Sequence, residues 1–193
     1  MKGLLNEGNE VYLLKHDDPK RKLKYGLEII KANKNLVGVN THMANKIVKH
    51  GLSNNLIKEL RNNDIIKAEV FFNKETRFDF FIEKNKKKIF LEVKNVTLCR
   101  KEKTAEFPDA VTVRGSKHLL ALIDAIKKGY KAYLLFLVQI ENMENFKIAN
   151  DIDKEYYKNY LTAKKAGVNF LAYRCKICSK KIFIEKKLKI LDE

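Results

Sequence analysis

The residues most able to do chemistry are Asp79, Glu92 and Lys94, which interrupt two apolar segments, residues 77–83 and 88–96. An unpaired charge is expensive to bury, so acids in such segments indicate a partner or a ligand. Two carboxylates suit a divalent cation such as Mg²⁺ or Mn²⁺, and a nearby lysine can stabilise charge that develops on a phosphate. The pattern therefore predicts a catalytic site for metal-assisted phosphodiester chemistry. The alternative is a salt bridge between the lysine and the two acids.

Strand pairing would bring these residues together. If the two segments form an antiparallel hairpin around a four-residue turn at 84–87, Asp79 lies directly opposite Glu92, and Arg77 lies opposite Lys94. Like charges that face each other destabilise a sheet, and a bound cation would relieve that repulsion. Because side chains alternate between faces, the opposite face is predicted to be apolar. That face would carry Phe80, Ile82, Ile89, Leu91 and Val93.

Further candidates lie on either side of the hairpin in the sequence. Glu69, one strand earlier, is a third candidate metal ligand, with a solvent-facing acid as the alternative. Arg114, Lys117 and His118 stand at the start of a predicted helix, and helix N-termini bind phosphate through free N–H groups. Together with Arg77 they form the predicted DNA-binding set. For His118, a structural hydrogen bond is an equally good interpretation.

The composition supports an anionic partner. The chain has 193 residues, 45% of them hydrophobic, and a formal net charge of +16. Such a charge favours nucleic acid as a partner, although only six of the 40 basic residues are arginine, and an AT-rich coding sequence would also produce a lysine excess. No apolar run reaches the roughly 18 residues of a membrane helix. We therefore expect no membrane contact, and the sparse cysteines predict a reducing, cytoplasmic location.

A pair of cysteines, Cys175 and Cys178, has the spacing of zinc ligands, but no second pair completes a tetrahedral site. The pattern favours a core or chance pair. No other motif indicates a small-molecule cofactor.

The elements around the hairpin predict an α/β (α+β) fold with a mixed β-sheet flanked by helices. We predict strands at 65–72, 77–83, 88–96, 132–138, 168–173 and 181–184 and helices at 42–50, 116–128 and 153–166. The helices are expected to end at Gly51, Gly129 and Gly167, with Asn40 or Thr41 capping the first. Residues 53–61 read as a weaker helix, and 97–113 as a polar connection.

The first 35 residues contain two strand candidates, at 10–14 and 27–30. Two such strands cannot bury a core alone, so they either extend the main sheet or belong to a separate small β domain.

The motifs together resemble the sugar fermentation stimulation protein family, SfsA, along essentially the whole chain. The resemblance rests on Val39-Asn40-Thr41, Glu69, Arg77-Phe78-Asp79-Phe80, Leu91-Glu92-Val93-Lys94-Asn95-Val96-Thr97-Leu98, Phe107-Pro108-Asp109-Ala110-Val111-Thr112, Arg114-Gly115-Ser116-Lys117-His118-Leu119 and Gly167-Val168. It implies DNA binding without sequence preference and a link to the regulation of sugar (maltose) metabolism. It also implies a core similar to PD-(D/E)xK restriction-endonuclease-like folds, in which Asp79, Glu92 and Lys94 match the motif.

The resemblance also divides the chain. Family members begin with an OB-like β domain, of which residues 1–35 look like a remnant, and residues 36–193 correspond to the nuclease-like domain. A shortened β domain would leave an unpaired sheet edge, which favours a homo-oligomer.

Three functions follow, in order of preference. The first is sequence-nonspecific DNA binding, and the second is a Mg²⁺-dependent nuclease. The third is a degenerate nuclease fold that serves only as a binding platform.

Overall fold

A computed structural model describes residues 3–32 and 34–191 of the chain. The strands are β1 (Glu10–Lys15), β2 (Tyr25–Ala32), β3 (Asn35–Gly38), β4 (Ile65–Phe71), β5 (Arg77–Lys84), β6 (Lys87–Val96), β7 (Leu98–Lys101), β8 (Thr104–Phe107), β9 (Lys131–Val138), β10 (Asn145–Ile148), β11 (Asn169–Cys178), β12 (Lys181–Lys187) and β13 (Lys189–Ile190). The α-helices are α1 (Met43–Ser53), α2 (Val113–Lys127) and α3 (Lys154–Lys165).

The central element is a six-stranded mixed sheet with the order β12-β11-β9-β6-β5-β4. β4, β5 and β6 form an antiparallel meander, whereas β6, β9 and β11 run parallel to one another. The chain crosses from β6 to β9 through α2, as a parallel connection requires. The predicted mixed sheet flanked by helices is confirmed.

Helices cover both faces of this sheet, so its middle strand is apolar on both sides. In β9, Leu134 and Phe136 belong to one buried cluster, together with Leu119 and Leu122 of α2. Leu135 and Leu137 face the other cluster, which contains Ile47 and Val48 of α1. The α1 side chains that are buried recur at helical spacing, which explains why this segment is an amphipathic helix.

The hairpin of β5 and β6 has the predicted register but a tighter turn. Glu83 pairs with Lys88 as expected, but Lys84 also pairs with Lys87, which leaves a two-residue turn. The turn residues Asn85 and Lys86 have φ values of 49° and 62°. Positive φ at both positions is typical of two-residue hairpin turns, whose twist matches that of the strands. The predicted four-residue turn was therefore wrong.

The first strands form a sheet of their own with the order β1-β2-β3, which resolves the alternative left open by the sequence. β3 connects this sheet to the rest of the molecule: Gly38 N donates to Gln139 O at 2.9 Å, and Val37 forms an isolated bridge with Ile140. A side chain at Gly38 would collide with Gln139, so the close approach requires glycine.

Several expectations about the connections were wrong. Residues 97–113 are not only a polar connection, because β7 and β8 lie within them and join β10 and β13 in a four-stranded sheet. Residues 53–61 contain only a short 3-10 turn at Lys58–Leu60. Gly51 does not end α1 but is buried within it, where it lets the helix approach Ile184 of β12.

Gly129 and Gly167 do follow α2 and α3, with the positive φ predicted for helix ends. Asn40 accepts a hydrogen bond from His42 N at 3.1 Å, just before α1, although the helix has no side-chain N-cap bond. No helix in residues 3–32 and 34–191 is long and apolar enough to cross a membrane.

Candidate nuclease-like site and DNA cleft

Glu92 is the centre of the site. It lies on β6 at the interior of the molecule, with only 3% of its surface exposed. Lys94, two residues along the same strand face, donates to Glu92 Oε1 at 2.7 Å. His118 of α2 contacts the same oxygen through Nδ1. Arg114 Nε lies 3.4 Å from His118 Nε2, which is consistent with a tautomer that carries its proton on Nδ1 and donates it to Glu92.

The second oxygen of Glu92 has no partner. Within the described residues, Oε2 is buried and makes no hydrogen bond. Burial alone raises the pKa of Glu92, but His118 and Lys94 outweigh it and hold the pKa below its ordinary value. The side chain is therefore an ionised, buried carboxylate with one free acceptor atom, an arrangement that is costly unless a ligand uses it.

Asp79 of β5 contacts the backbone of the neighbouring strand β6. Its Oδ2 accepts from Val93 N at 2.7 Å, and its Oδ1 accepts from the Asn45 amide at 2.8 Å. Burial, and then the charge of Glu92, raise its pKa from 3.8 to about 6. The negative charge of Glu92 thus disfavours the ionised form of Asp79, as expected for two neighbouring acids.

The strand pairing near Asp79 differs from the prediction. The ladder between β5 and β6 ends at Phe80 and Leu91, one pair before Asp79 would face Glu92. Phe78 and Phe80 pack in opposite clusters, although residues two apart in a regular strand share a face. β5 is therefore distorted at Asp79, whose carboxylate accepts the Val93 N–H in place of a backbone carbonyl.

The distortion continues into β4. Glu69 has a φ of 57°, which is unusual for a side chain of its kind. Arg77 does not face Lys94 but forms an ion pair with Glu69 at 2.9 Å. In the described part of the chain, Glu69 is linked to Asp79 through Asn45, whose amide is 3.4 Å from one Glu69 oxygen and 2.8 Å from Asp79 Oδ1. Strained backbone of this kind is typical of functional sites.

Asn45 is a site residue that the sequence did not predict. It lies on α1, beside the buried stripe of that helix, and joins the two acids of neighbouring strands. Its polarity next to a buried helix face was the only available signal. Nothing in the spacing connects it with Asp79, which is 34 residues away.

All four predicted DNA-binding residues line one cleft of about 660 Å³. These are Arg77 on one wall and Arg114, Lys117 and His118 on the other. His118 belongs to both features, because one ring nitrogen contacts Glu92 while the residue lines the cleft. His118 is therefore the residue that links the cleft to Glu92.

Two N-cap residues, Thr112 and Asp153, fix the start of α2, the helix that forms one wall of this cleft. Thr112 Oγ1 accepts from Gly115 N at 3.0 Å, which satisfies a free donor of the first turn. Asp153, the N-cap of α3, accepts from Thr112 N at 2.8 Å and from Tyr156 N at 2.9 Å. The starts of both helices are thus fixed to each other. The helix begins at Val113, three residues before the predicted start.

Comparisons with known proteins agree with the geometry. Residues 42–181 match the family model "Sugar fermentation stimulation protein RE domain", and residues 1–39 match "SfsA N-terminal OB domain". The chain belongs to the SfsA family.

Similar SfsA proteins occur in several bacteria and in a solved structure. A sugar fermentation stimulation protein homolog of Pelagibacter ubique is 78% identical over 192 residues, which cover 100% of this chain and 83% of that protein. The homolog of Bartonella quintana is 37% identical, with 100% and 83% covered. The structure of Pyrococcus furiosus SfsA in complex with Ca²⁺ has a TM-score of 0.88 and 25% identity, covering 98% of this chain and 80% of that one.

The donor set of this SfsA chain suits a small hard cation. In the described part of the chain, no three His, Cys, Asp or Glu side chains converge to form a complete metal cage. Mg²⁺ needs only one or two protein carboxylates, since waters and phosphate oxygens complete its shell. Asp79 and the unpartnered Oε2 of Glu92 therefore fit such an ion. Cys175 and Cys178 lie elsewhere, on β11, where the first is buried.

Proposed function

We propose that this SfsA-family chain binds DNA without sequence preference, through the cleft between β4 and α2. The observation that carries the proposal is the convergence of Arg77, Arg114, Lys117 and His118 on one cleft. Arginine and lysine contact phosphates, which position a protein on DNA but carry no sequence information. The net charge of +16 adds a long-range attraction for the same polyanion.

Salt dependence tests this proposal. Fluorescence anisotropy with labelled DNA should show an affinity that falls steeply between low and physiological salt, because bound phosphates release counterions. Each of Arg114→Ala and Lys117→Ala should lower the slope of log K against log salt by about one. Lys186→Ala, which removes an exposed charge on β12 at the other edge of the sheet, serves as the charge-matched control. A flat salt response, or equal effects of all three substitutions, would contradict binding at this cleft.

A second function, metal-dependent phosphodiester cleavage, is favoured by the free Oε2 of Glu92 beside Asp79. These two acids would hold Mg²⁺ or Mn²⁺, and the structurally similar Pyrococcus furiosus protein was solved with Ca²⁺. A bound cation would lower the pKa of a water and stabilise charge on the phosphate. Lys94, next to Glu92, would orient that water or stabilise the same charge. Glu69 supports the site through Asn45 and Asp79.

Cleavage is tested with supercoiled plasmid and with single-stranded DNA, in Mg²⁺, in Mn²⁺ and in EDTA. We expect cleavage with either metal, none in EDTA and none in Asp79→Asn. Activity that persists in Asp79→Asn would exclude this site. Isothermal titration with Mn²⁺ separates an active site from a binding platform, because a degenerate site releases no heat.

We extend the proposal to the family's role in sugar (maltose) metabolism, which would act through the same DNA contacts. Complementation tests this step: the parent chain should restore sugar fermentation to a strain that lacks its own SfsA protein, whereas Arg114→Ala should restore it less. Equal complementation would separate the regulatory role from the cleft.

A further inference from the structure

An exposed aromatic side chain stands at the cleft. Phe71, the last residue of β4, has 66% of its surface exposed and lines the cleft. β4 is an edge strand of the six-stranded sheet. The next residue, Phe72, instead packs against Phe78 and Phe90. The aromatic content of this segment is therefore not explained by the core alone, because one of its two rings faces the solvent.

Basic groups outnumber acids around this ring. The Arg77 guanidinium lies over it, 5.7 Å from the ring centroid, and also pairs with Glu69. Arg114 and Lys117 line the same cleft from α2, and the acids of the lining are Glu75 and Asp124. A surface cation–π pair is worth only about 0.5–1 kcal/mol, so the Arg77 contact alone gives weak reason to expose a phenylalanine. An aromatic surface beside a positively charged groove is the arrangement with which proteins bind single-stranded nucleic acid.

We propose that the cleft binds single-stranded DNA, with one base stacked on Phe71 and the neighbouring phosphates against Arg77, Arg114 and Lys117. This inference rests on the proposed DNA-binding function and specifies its substrate. In a duplex the base faces are covered by their stacked neighbours, so only an unpaired or flipped base can stack on a side chain. A cleft of about 660 Å³ is in the size range of sites that enclose small molecules, so it has room for one nucleotide.

The same sheet provides a matched control. Phe183 lies on β12, the other edge strand, with Lys181 Nζ 5.3 Å from its ring centroid. It therefore reproduces the aromatic ring and its cation, but it does not line the cleft with Arg114 and Lys117. Phe71 is 66% exposed and Phe183 is only partly exposed, so Phe183→Ala controls for the loss of an aromatic ring beside a cation, outside the cleft.

The experiment uses the full chain in EDTA, so that binding is measured without cleavage. Anisotropy is recorded with a labelled oligothymidine of about 12 nucleotides and with a duplex of the same length. We expect Phe71→Ala to weaken binding of the single strand by about tenfold or more and of the duplex by less than about twofold. Phe71→Trp should retain single-strand affinity, and Phe183→Ala should change neither.

The outcomes that contradict the proposal separate the stacking role from DNA binding itself. If Phe71→Ala leaves single-strand binding within about twofold of the parent, or weakens both substrates equally, the stacking role is wrong while DNA binding stands. If the parent binds neither DNA, the proposed function fails and this inference fails with it. Far-ultraviolet circular dichroism confirms that the variants are folded, which we expect because the ring is mostly exposed.

Discussion

Two buried glutamates of this chain, Glu92 and Glu106, differ in how their charge is satisfied. They are 3% and 1% exposed, respectively. Glu106 accepts from Arg100 at both oxygens, at 2.8 and 3.0 Å, and Lys147 lies 3.3 Å away. Glu92 also has two partners, but both are at Oε1, and Oε2 has none in the described residues.

The difference lies in how fully each buried acid is hydrogen-bonded, and it is the reason we assign Glu92 to the proposed metal site. For both residues burial raises the pKa, and the neighbouring hydrogen-bond donors and positive charges lower it further than burial raises it. Arg100 also holds Asp151 at 2.6 Å, so the Glu106 network is complete and ties β7 and β8 to the loop before α3. The Glu92 network is incomplete, and its free atom lies in a site beside a basic cleft. A buried acceptor without a partner is costly, and the cation that we propose at this site would remove that cost.

The largest effect is expected from Glu106→Gln, which removes the charge that Arg100 and Lys147 neutralise. We expect the free energy of unfolding to fall by about 3 kcal/mol, because breaking a buried pair leaves uncompensated charge. Urea denaturation measures this loss. Glu144→Gln, which breaks the exposed pair with Lys103, is the control and should cost less than about 1 kcal/mol. Equal losses in the two variants would show that Glu106 is not a structural acid.

Glu92→Gln should reduce DNA cleavage strongly and stability less. We expect metal-dependent DNA cleavage to fall by at least about 100-fold, since a cation ligand is lost. The free energy of unfolding should fall by less than in Glu106→Gln, because only one Glu92 oxygen has partners to lose. Cleavage and urea denaturation are measured on the same preparations. Retained cleavage would remove Glu92 from the catalytic site.

Asn45→Ala should lower the affinity for Mn²⁺ less than the loss of either Asp79 or Glu92. Its amide orients Asp79, and loss of such supporting contacts typically costs about tenfold or more in metal affinity. Isothermal titration with Mn²⁺ measures the change without relying on activity. Asn159→Ala on α3 is the control and should bind Mn²⁺ like the parent chain. Unchanged Mn²⁺ affinity in Asn45→Ala would contradict a positioning role.

The smallest effect is a pH dependence of stability through Asp79. Burial raises its pKa from 3.8 to about 6, so the folded chain binds this proton more tightly than the unfolded chain does. The contribution of Asp79 to stability is therefore present below about pH 4 and is lost as the pH rises through about 6. Asp79→Asn should melt at a higher temperature than the parent at about pH 8, in EDTA, with a smaller difference at about pH 4. A difference that is the same at both pH values would contradict the raised pKa.

The sequence alone predicted the mixed sheet with its helices, the hairpin register and the positions of Glu92 and Lys94 on one strand face. These features depend on local periodicity, because a strand that is buried on one face repeats every two residues and a helix every 3.6. Gly129 and Gly167 mark helix ends for an equally local reason, their positive φ. The four-stranded sheet was missed because its strands, such as β7 and β8, are at most four residues long and too short to show a period.

Only the tertiary structure decided which side chains meet. Periodicity tells which face of an element is buried, but it does not tell what covers that face. Three contacts of the site join residues from different elements. They are His118 with Glu92, Asn45 with Asp79, and Arg77 with Glu69. The distortion of β5 at Asp79 could not be predicted from periodicity either, because it arises where the Asp79 carboxylate accepts a hydrogen bond from the Val93 N–H. The sequence determined which residues could do chemistry, and the packing of α1 and α2 on the sheet decided how they are arranged.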